Sequence, residues 1–77
     1  MTHDEAKERL LELARAEAGY FNAEMVERDP TLSANQDIVS AAAHELATDP
    51  AVDVGEEADG RAWFPYSFMR FSAPLVG

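Results

Sequence analysis

The hydrophobic pattern of this chain changes its period at Pro50, and the change divides the sequence into a helical part and a strand-rich part. Before Pro50, apolar residues recur every three or four positions, which is the spacing of one buried helical face. After Pro50, Val52 and Val54 alternate with other residues, and aromatic residues that favour strands follow. This order predicts an α+β fold with three helices, then a β-hairpin, then an apolar C-terminal tail.

Three helices are predicted in the first part of the chain, with approximate bounds of 4–19, 23–28 and 33–47. Gly19 gives the first helix a natural end. Asn22 is a good N-cap for the second helix, which must end before Pro30. Ser33 and Gln36 have the spacing of a capping box, so we expect the third helix to begin at Ser33.

A β-hairpin is predicted over about 51–67, with its turn at Asp59-Gly60, because glycine tolerates the positive φ of a tight turn. Pro65 has no N–H for a sheet ladder, so the second strand should lie at an edge or end there. The apolar tail, 68–77, is expected to dock on the core or to contact another chain. The whole chain, 1–77, is expected to be a single domain, since this length leaves room for one core.

The composition leaves few means of stabilisation other than packing. The chain has no cysteine and only two histidines, so neither disulfides nor a zinc site built from Cys and His ligands is expected. No signal-peptide pattern begins the sequence, and no apolar run approaches the roughly 20 residues of a membrane span. These features lead us to expect a cytoplasmic protein without membrane contact.

Charge is distributed unevenly along a chain whose net charge is −9. Residues 1–29 hold eight carboxylates and four basic residues, whereas residues 30–60 hold seven carboxylates and no basic residue. Residues 61–77 hold two arginines and no carboxylate. The excess of negative charge therefore falls on the third predicted helix and the predicted hairpin turn.

Three helices, of which the last two are joined by a short turn, precede a hairpin that contains an Asp-Gly turn and a Trp. This order of elements resembles that of winged helix-turn-helix domains over roughly residues 6–66. In the resemblance, 22–28 stand for the second helix, 33–47 for the recognition helix and 52–66 for the wing. A simple helical bundle with a hairpin is the alternative architecture. Many winged-helix domains bind DNA with the third helix in the major groove.

The charges argue against the DNA-binding role that this resemblance implies. Duplex DNA carries a negative charge every ~1.7 Å, and proteins bind it through Lys and Arg. The predicted recognition helix has only carboxylates, which leaves Arg61 and Arg70 as the cations that could reach phosphate. We therefore expect no direct nucleic-acid binding but a protein partner, which can itself be a nucleic-acid-binding protein.

No motif of catalysis, metal binding or cofactor binding is present. His44-Glu45 begins like the zinc-protease motif His-Glu-x-x-His, but Thr48 stands where the second histidine is required. The serines have no adjacent base motif, and the glycines are too scattered to form a phosphate-binding loop. We predict that the chain is not an enzyme and has no catalytic, metal-ligating or cofactor-binding residue.

The candidate partner-binding residues lie in the predicted hairpin and tail. Acidic residues of the turn could steer a basic partner. Five aromatic residues fall within nine positions of this part, and strand alternation prevents all of them from pointing inward. Arg, Trp and Tyr also dominate the energetics of protein interfaces. The candidates are Glu56, Glu57, Asp59, Arg61, Trp63, Tyr66, Arg70 and Phe71.

Three functions fit these observations. The first is a non-enzymatic, acidic protein-interaction domain that acts as a regulator or inhibitor, similar in size and charge to inhibitors and DNA mimics of phages and mobile elements. The alternative is a dimeric winged-helix transcriptional regulator from a halophilic or GC-rich organism, with residues 68–77 as the dimer contact. Salt adaptation would spread carboxylates over the surface, whereas a binding face would concentrate them. A structural subunit of a larger assembly is a third reading.

Overall fold

A computed structural model describes residues 1–55 and 63–72 of the chain. In this part the elements, in chain order, are α1 (His3–Ala16), β1 (Tyr20–Asn22), α2 (Ala23–Arg28), α3 (Pro30–Ser33), α4 (Gln36–Leu46), β2 (Val52–Val54) and β3 (Phe68–Phe71). The chain is mixed α+β, as predicted. None of the helices in these two ranges has the length and apolar character that crossing a bilayer requires.

The helix α1 begins at a complete capping box. The Thr2 hydroxyl accepts a hydrogen bond from the Glu5 amide at 3.1 Å, and the Glu5 carboxylate accepts one from the Thr2 amide at 3.0 Å. The helix ends at Ala16, and Gly19 follows with a φ of 88°. The Gly19 amide donates to the Ala14 carbonyl at 2.7 Å, which satisfies one of the last carbonyls of the helix.

The helix α2 has the predicted bounds, because its cap is the predicted one. The Asn22 side chain accepts a hydrogen bond from the Met25 amide at 2.9 Å. The predicted start of the third helix at Ser33 is wrong, since Pro30 opens the separate short helix α3 and Ser33 ends it. The Ser33 hydroxyl instead donates to the Glu27 carbonyl at 2.5 Å. The long helix α4 begins three residues later, at Gln36.

The strands form one antiparallel sheet in the order β1-β3-β2, so the last strand of the chain lies in the middle. Met69 of β3 pairs with Phe21 of β1 on one side and with Val54 of β2 on the other. The sheet therefore joins the segment between the first two helices to the strands that follow α4.

The bounds of the predicted hairpin need correction. The strand that pairs with β2 is Phe68–Phe71, which the sequence pattern assigned to the tail. Residues 63–67 form bends with a single bridge at Tyr66, because Pro65 offers no amide to a ladder. The first part of the tail is thus a central strand. The predicted Asp59-Gly60 turn and residues 73–77 lie outside the described residues.

The core lies between the helices and one face of the sheet. The helix α1 packs along α4, and alanines of both helices at this contact allow a close approach. The fully buried apolar residues are Ala6, Leu10, Ala14, Phe21, Val26, Leu32, Val39, Ala42, Ala43, Phe64 and Met69. No polar or charged residue of the described ranges is buried. Tyr20 and Phe21 form a large apolar pair just past the end of α1, which predicts that both are core residues. Phe21 is fully buried as predicted, whereas Tyr20 is half-buried.

Candidate functional site

Strand alternation gives the sheet two faces with different surroundings. Phe21 and Met69 point towards the helices and are fully buried. Their neighbours Tyr20, Phe68 and Arg70 point the other way, where the two rings are half-buried and Arg70 is exposed. Asp53 of β2 pairs in register with Arg70 and is also exposed. We term the four residues Tyr20, Asp53, Phe68 and Arg70 the outer face.

Arg70 is positioned on the outer face by two aromatic rings. Its guanidinium carbon lies 5.8 Å from the centroid of the Tyr20 ring and 5.9 Å from that of the Phe68 ring. The two rings are stacked, with 5.9 Å between their centroids and an interplanar angle of 30°. Both distances to the guanidinium are within the ~6 Å range of cation–π attraction. The rings therefore favour a defined position for this cation on the open side of the sheet.

Arg70 differs from the other Lys and Arg side chains of the described ranges in having no ion pair there. The remaining Lys and Arg side chains of the described ranges each contact a carboxylate, and they are Lys7, Arg9, Arg15 and Arg28. Arg70 forms no salt bridge with any residue in 1–55 or 63–72, although Asp53 is its register partner on β2. Arg70 is therefore the one Lys or Arg side chain in 1–55 and 63–72 without a carboxylate partner there, and it is exposed.

Gly55 provides the space in which the Phe68 ring lies. The Gly55 amide donates to the Phe68 carbonyl at 2.8 Å, which extends the pairing of β2 with β3. A Cβ atom at this glycine would overlap the Phe68 ring and the Ser67 hydroxyl. The ring can therefore lie across the end of β2 only because position 55 has no side chain.

The structure separates the predicted partner-binding residues. Arg70 lies on the outer face, whereas Phe71 points inward, with its ring centroid 6.0 Å from that of Phe21. The rings of Trp63 and Tyr66 both contact the buried ring of Phe64, with centroid distances of 6.0 and 6.4 Å. Four further candidates lie outside the described residues, and they are Glu56, Glu57, Asp59 and Arg61.

Sequence reasoning missed three of the four residues of the outer face. The sequence pattern predicts Tyr20 in the core, and it does not mark Phe68 or Asp53 as partner-binding residues. A strand at 20–22 would have placed Tyr20 and Phe21 on opposite faces by alternation. That signal was weak, because β1 has only three residues and follows a helix end directly.

Tyr66 attaches the segment 63–67 to the exposed side of α4. Its hydroxyl oxygen lies 3.0 Å from Nδ1 of His44, and the two rings meet edge to face with centroids 5.4 Å apart. Among the residues in 1–55 and 63–72, no three His, Asp or Glu side chains are grouped as metal ligands. The His44–Tyr66 contact joins a loop to a helix.

Asp29 links α1 to the start of α3. Its Oδ2 accepts a hydrogen bond from Nη2 of Arg9 at 2.7 Å, and its Oδ1 accepts from the amides of Thr31 and Leu32 at 2.9 and 3.1 Å. Burial opposes the ionisation of this carboxyl group, whose side chain is 10% exposed. Hydrogen bonds from Leu32 and Arg9 outweigh burial and hold the pKa of Asp29 below its ordinary value.

Glu45 links α4 to α1 through contacts with two side chains of α1. Its carboxylate contacts Nε2 of His3 and accepts a hydrogen bond from Nζ of Lys7 at 3.1 Å. The hydrogen bonds from His3 and Lys7 lower the pKa of Glu45 from its ordinary value. Asp37 is then the one carboxylate of α4 without a cationic partner among the described residues.

The carboxylates of the described ranges are spread over several elements. They occur on α1, α2, α4 and β2 and in the turns between them, and none is buried. These residues are Asp4, Glu5, Glu8, Glu12, Glu17, Glu24, Glu27, Asp29, Asp37, Glu45, Asp49 and Asp53. The carboxylates of the described ranges are therefore not confined to one element, and Glu56, Glu57 and Asp59 lie outside these ranges.

Comparisons of the chain with protein-family models, with curated protein sequences and with solved structures find no match.

Proposed function

We propose that this chain is a non-enzymatic protein-interaction domain that acts as a regulator or inhibitor, and that its contact surface is the outer face of the sheet. The observation that carries the proposal is the position of Arg70, which is exposed, lies over two stacked rings and forms no ion pair with a carboxylate in the described ranges. Arg and Tyr are among the residues that contribute most to protein interfaces. A guanidinium that is already positioned loses less conformational freedom on binding.

A winged-helix architecture is part of this proposal. The strand β1 lies between α1 and α2, and β2 and β3 follow α4. The pairing of β3 with both other strands is compatible with a wing that is anchored to the first strand. In this arrangement α4 takes the place of the recognition helix.

Direct DNA binding at high salt is a second candidate function, and the charge pairing on α4 favours it. Because Glu45 is paired with Lys7, Asp37 is the unpaired carboxylate of α4 in the described part of the chain. Mobility-shift assays with duplex DNA at 0.1 M and at about 1 M salt test this candidate, since 1 M salt shortens the Debye length to about 3 Å. A shifted duplex at either salt concentration would support it, and an unshifted duplex at both would reject it.

Affinity capture with matched variants tests the interaction proposal. The wild-type chain, Arg70→Ala and Arg28→Ala would each be used as bait in extracts of the native host, with mass spectrometry as the readout. Arg28 is the control because its side chain is 78% exposed and its ion pair is with Glu24 of the same helix. We expect proteins retained by the wild type and by Arg28→Ala to be at least tenfold depleted with Arg70→Ala. Identical retention by all three baits would contradict the proposal.

A further inference from the structure

We infer that the outer face binds a second copy of this chain, face to face about a two-fold axis. This inference rests on the proposed function, because it assigns an occupant to the same surface. A symmetric dimer interface must be complementary to itself, so that each patch supplies what the other needs. The outer face meets this condition, since Arg70 and Asp53 are adjacent, exposed and without an ion pair in the described ranges.

The register of the sheet selects one symmetric arrangement. Arg70 and Asp53 are Cα partners on neighbouring antiparallel strands, which lie about 4.8 Å apart. A two-fold axis in the plane of contact, parallel to the strands and between β2 and β3, exchanges the positions of these two strands. Each Arg70 then faces Asp53 of the other copy, and both pairs form at once. A two-fold axis in the plane of contact that ran perpendicular to the strands, through the Arg70–Asp53 pair, would place the two Arg70 side chains opposite each other and the two Asp53 side chains opposite each other.

The charges around the outer face favour a second copy over other protein partners. A strongly basic surface would place cations against Arg70, and a strongly acidic one would place anions against Asp53. A second copy supplies one charge of each sign at the required spacing. The half-buried ring of Phe68, two residues before Arg70 on the same strand, adds apolar contact area beside the charged pair.

The net charge of the chain gives this dimer an unusual salt dependence. Two chains of charge −9 repel each other at low ionic strength. The Debye length falls from about 10 Å at 0.1 M salt to about 3 Å at 1 M, which removes this long-range repulsion. The Arg70–Asp53 pairs are screened less, because the contact excludes part of the solvent. We expect self-association to be at least tenfold tighter at 1 M than at 0.1 M salt.

Charge reversal at the two positions tests the inference by complementation. Arg70→Asp alone places carboxylates opposite each other across the axis, and Asp53→Arg alone places guanidinium groups opposite each other. Each variant alone should therefore self-associate at least tenfold more weakly than the wild type. An equimolar mixture of the two variants restores opposite charges in both pairs, so a mixed dimer should form with near wild-type affinity.

Sedimentation velocity at 1 M salt would be the measurement, with chain concentrations reaching the millimolar range because the contact is small. Far-UV circular dichroism would show that the variants are folded, and Arg70→Ala with Asp53→Ala would replace either reversal that fails to fold. Each alanine variant should also self-associate more weakly than the wild type. Arg28→Asp changes the net charge as much as Arg70→Asp does, and it should leave the dimer intact.

The outcomes separate this inference from the proposed function. A wild-type chain that stays monomeric at both salt concentrations would overturn the second-copy inference, as would single variants that dimerise like the wild type. A mixture that remains monomeric while the wild type dimerises would overturn the two-fold arrangement. In each case the proposed function still stands if Arg70→Ala loses a captured protein, and it fails if capture is unchanged.

Discussion

The inner and outer faces of the sheet consist of alternate residues from the same three strands, yet their surroundings differ. On the inner face, Phe21 and Met69 are fully buried against the helices. On the outer face, Tyr20 and Phe68 are half-buried beside an exposed Arg70. Both faces carry aromatic rings, so residue type does not separate a core position from a contact position. The direction of each side chain in its strand does separate the buried rings from the half-buried ones, and our proposal places binding on the outer face.

Replacement of a residue on the inner face should have the largest effect. Phe21→Ala removes a fully buried ring that contacts the rings of Phe64 and Phe71. We expect the free energy of unfolding to fall by about 3–5 kcal/mol, a large part of the total for a small domain, which is about 5–15 kcal/mol. Urea unfolding followed by circular dichroism measures this loss.

Tyr20→Ala, one residue away on the outer face, is the matched control for Phe21→Ala. It removes a stacked, half-buried ring, and the expected loss is closer to 1 kcal/mol. Equal losses of unfolding free energy for the two variants would show that the inner and outer faces contribute equally to stability, which contradicts the account.

Asp29→Ala should have the next largest effect on the free energy of unfolding. It tests whether an arginine with an ion pair, Arg9, contributes to stability in a way that Arg70 does not. Arg9 is bound to Asp29, which also caps α3, whereas Arg70 has neither role. Loss of such a cap costs about 0.5–2 kcal/mol. Asp37→Ala is the control, because Asp37 is exposed and has no side-chain cap bond. The error of such comparisons is roughly 0.3 kcal/mol. If the free energy of unfolding of Asp29→Ala lies within this error of the wild-type value, Asp29 does not stabilise the start of α3.

The stability of the chain should depend on pH through Asp29. Because the pKa of Asp29 is lowered in the folded chain, folding favours the ionised form. The stabilisation is complete above the ordinary aspartate pKa of about 4 and is lost as the pH falls through the lower folded value. Asp29→Asn keeps an oxygen acceptor for the cap but does not titrate. The stability difference between the wild type and Asp29→Asn should therefore shrink below about pH 4, and a difference that stays constant would reject the assignment.

Arg70→Ala should have the smallest effect on folding. Its cation–π contacts with Tyr20 and Phe68 are at an exposed position, where they contribute about 0.5–1 kcal/mol. The free energy of unfolding should fall by no more than this, while retention of bound protein falls at least tenfold. A loss above 2 kcal/mol, the scale of burial rather than of exposed contacts, would show that the outer face supports the fold and would remove the distinction between the faces.

The sequence predicted those elements whose signals are local. The predicted bounds of α2 are confirmed because Asn22 and Pro30 mark its two ends, whereas α1 ends at Ala16, three residues before the predicted end. The start of α4 was misplaced, because Asp29 and Pro30 open a short helix that uses Ser33 as its last residue. Local capping patterns compete, and only the packed chain decides between them.

The outer face could be predicted only in part, because it depends on pairing between distant segments. Arg70 was selected from its residue type and its position among aromatic residues. Its neighbour Tyr20 comes from a three-residue strand that exists through its pairing with β3. The register that places Asp53 beside Arg70 follows from the same sheet. Nothing in the local sequence of either segment specifies these contacts.

Amide NMR spectra of the isotope-labelled chain test the central claim most directly, namely that the outer face is the contact surface. The spectra would be recorded at 1 M salt while the chain concentration is raised to the millimolar range. We predict that the amide signals of Tyr20, Asp53, Phe68 and Arg70 shift with concentration, while those of α2 stay in place. Shifts confined to the helices, or spectra that do not change with concentration, would contradict the account.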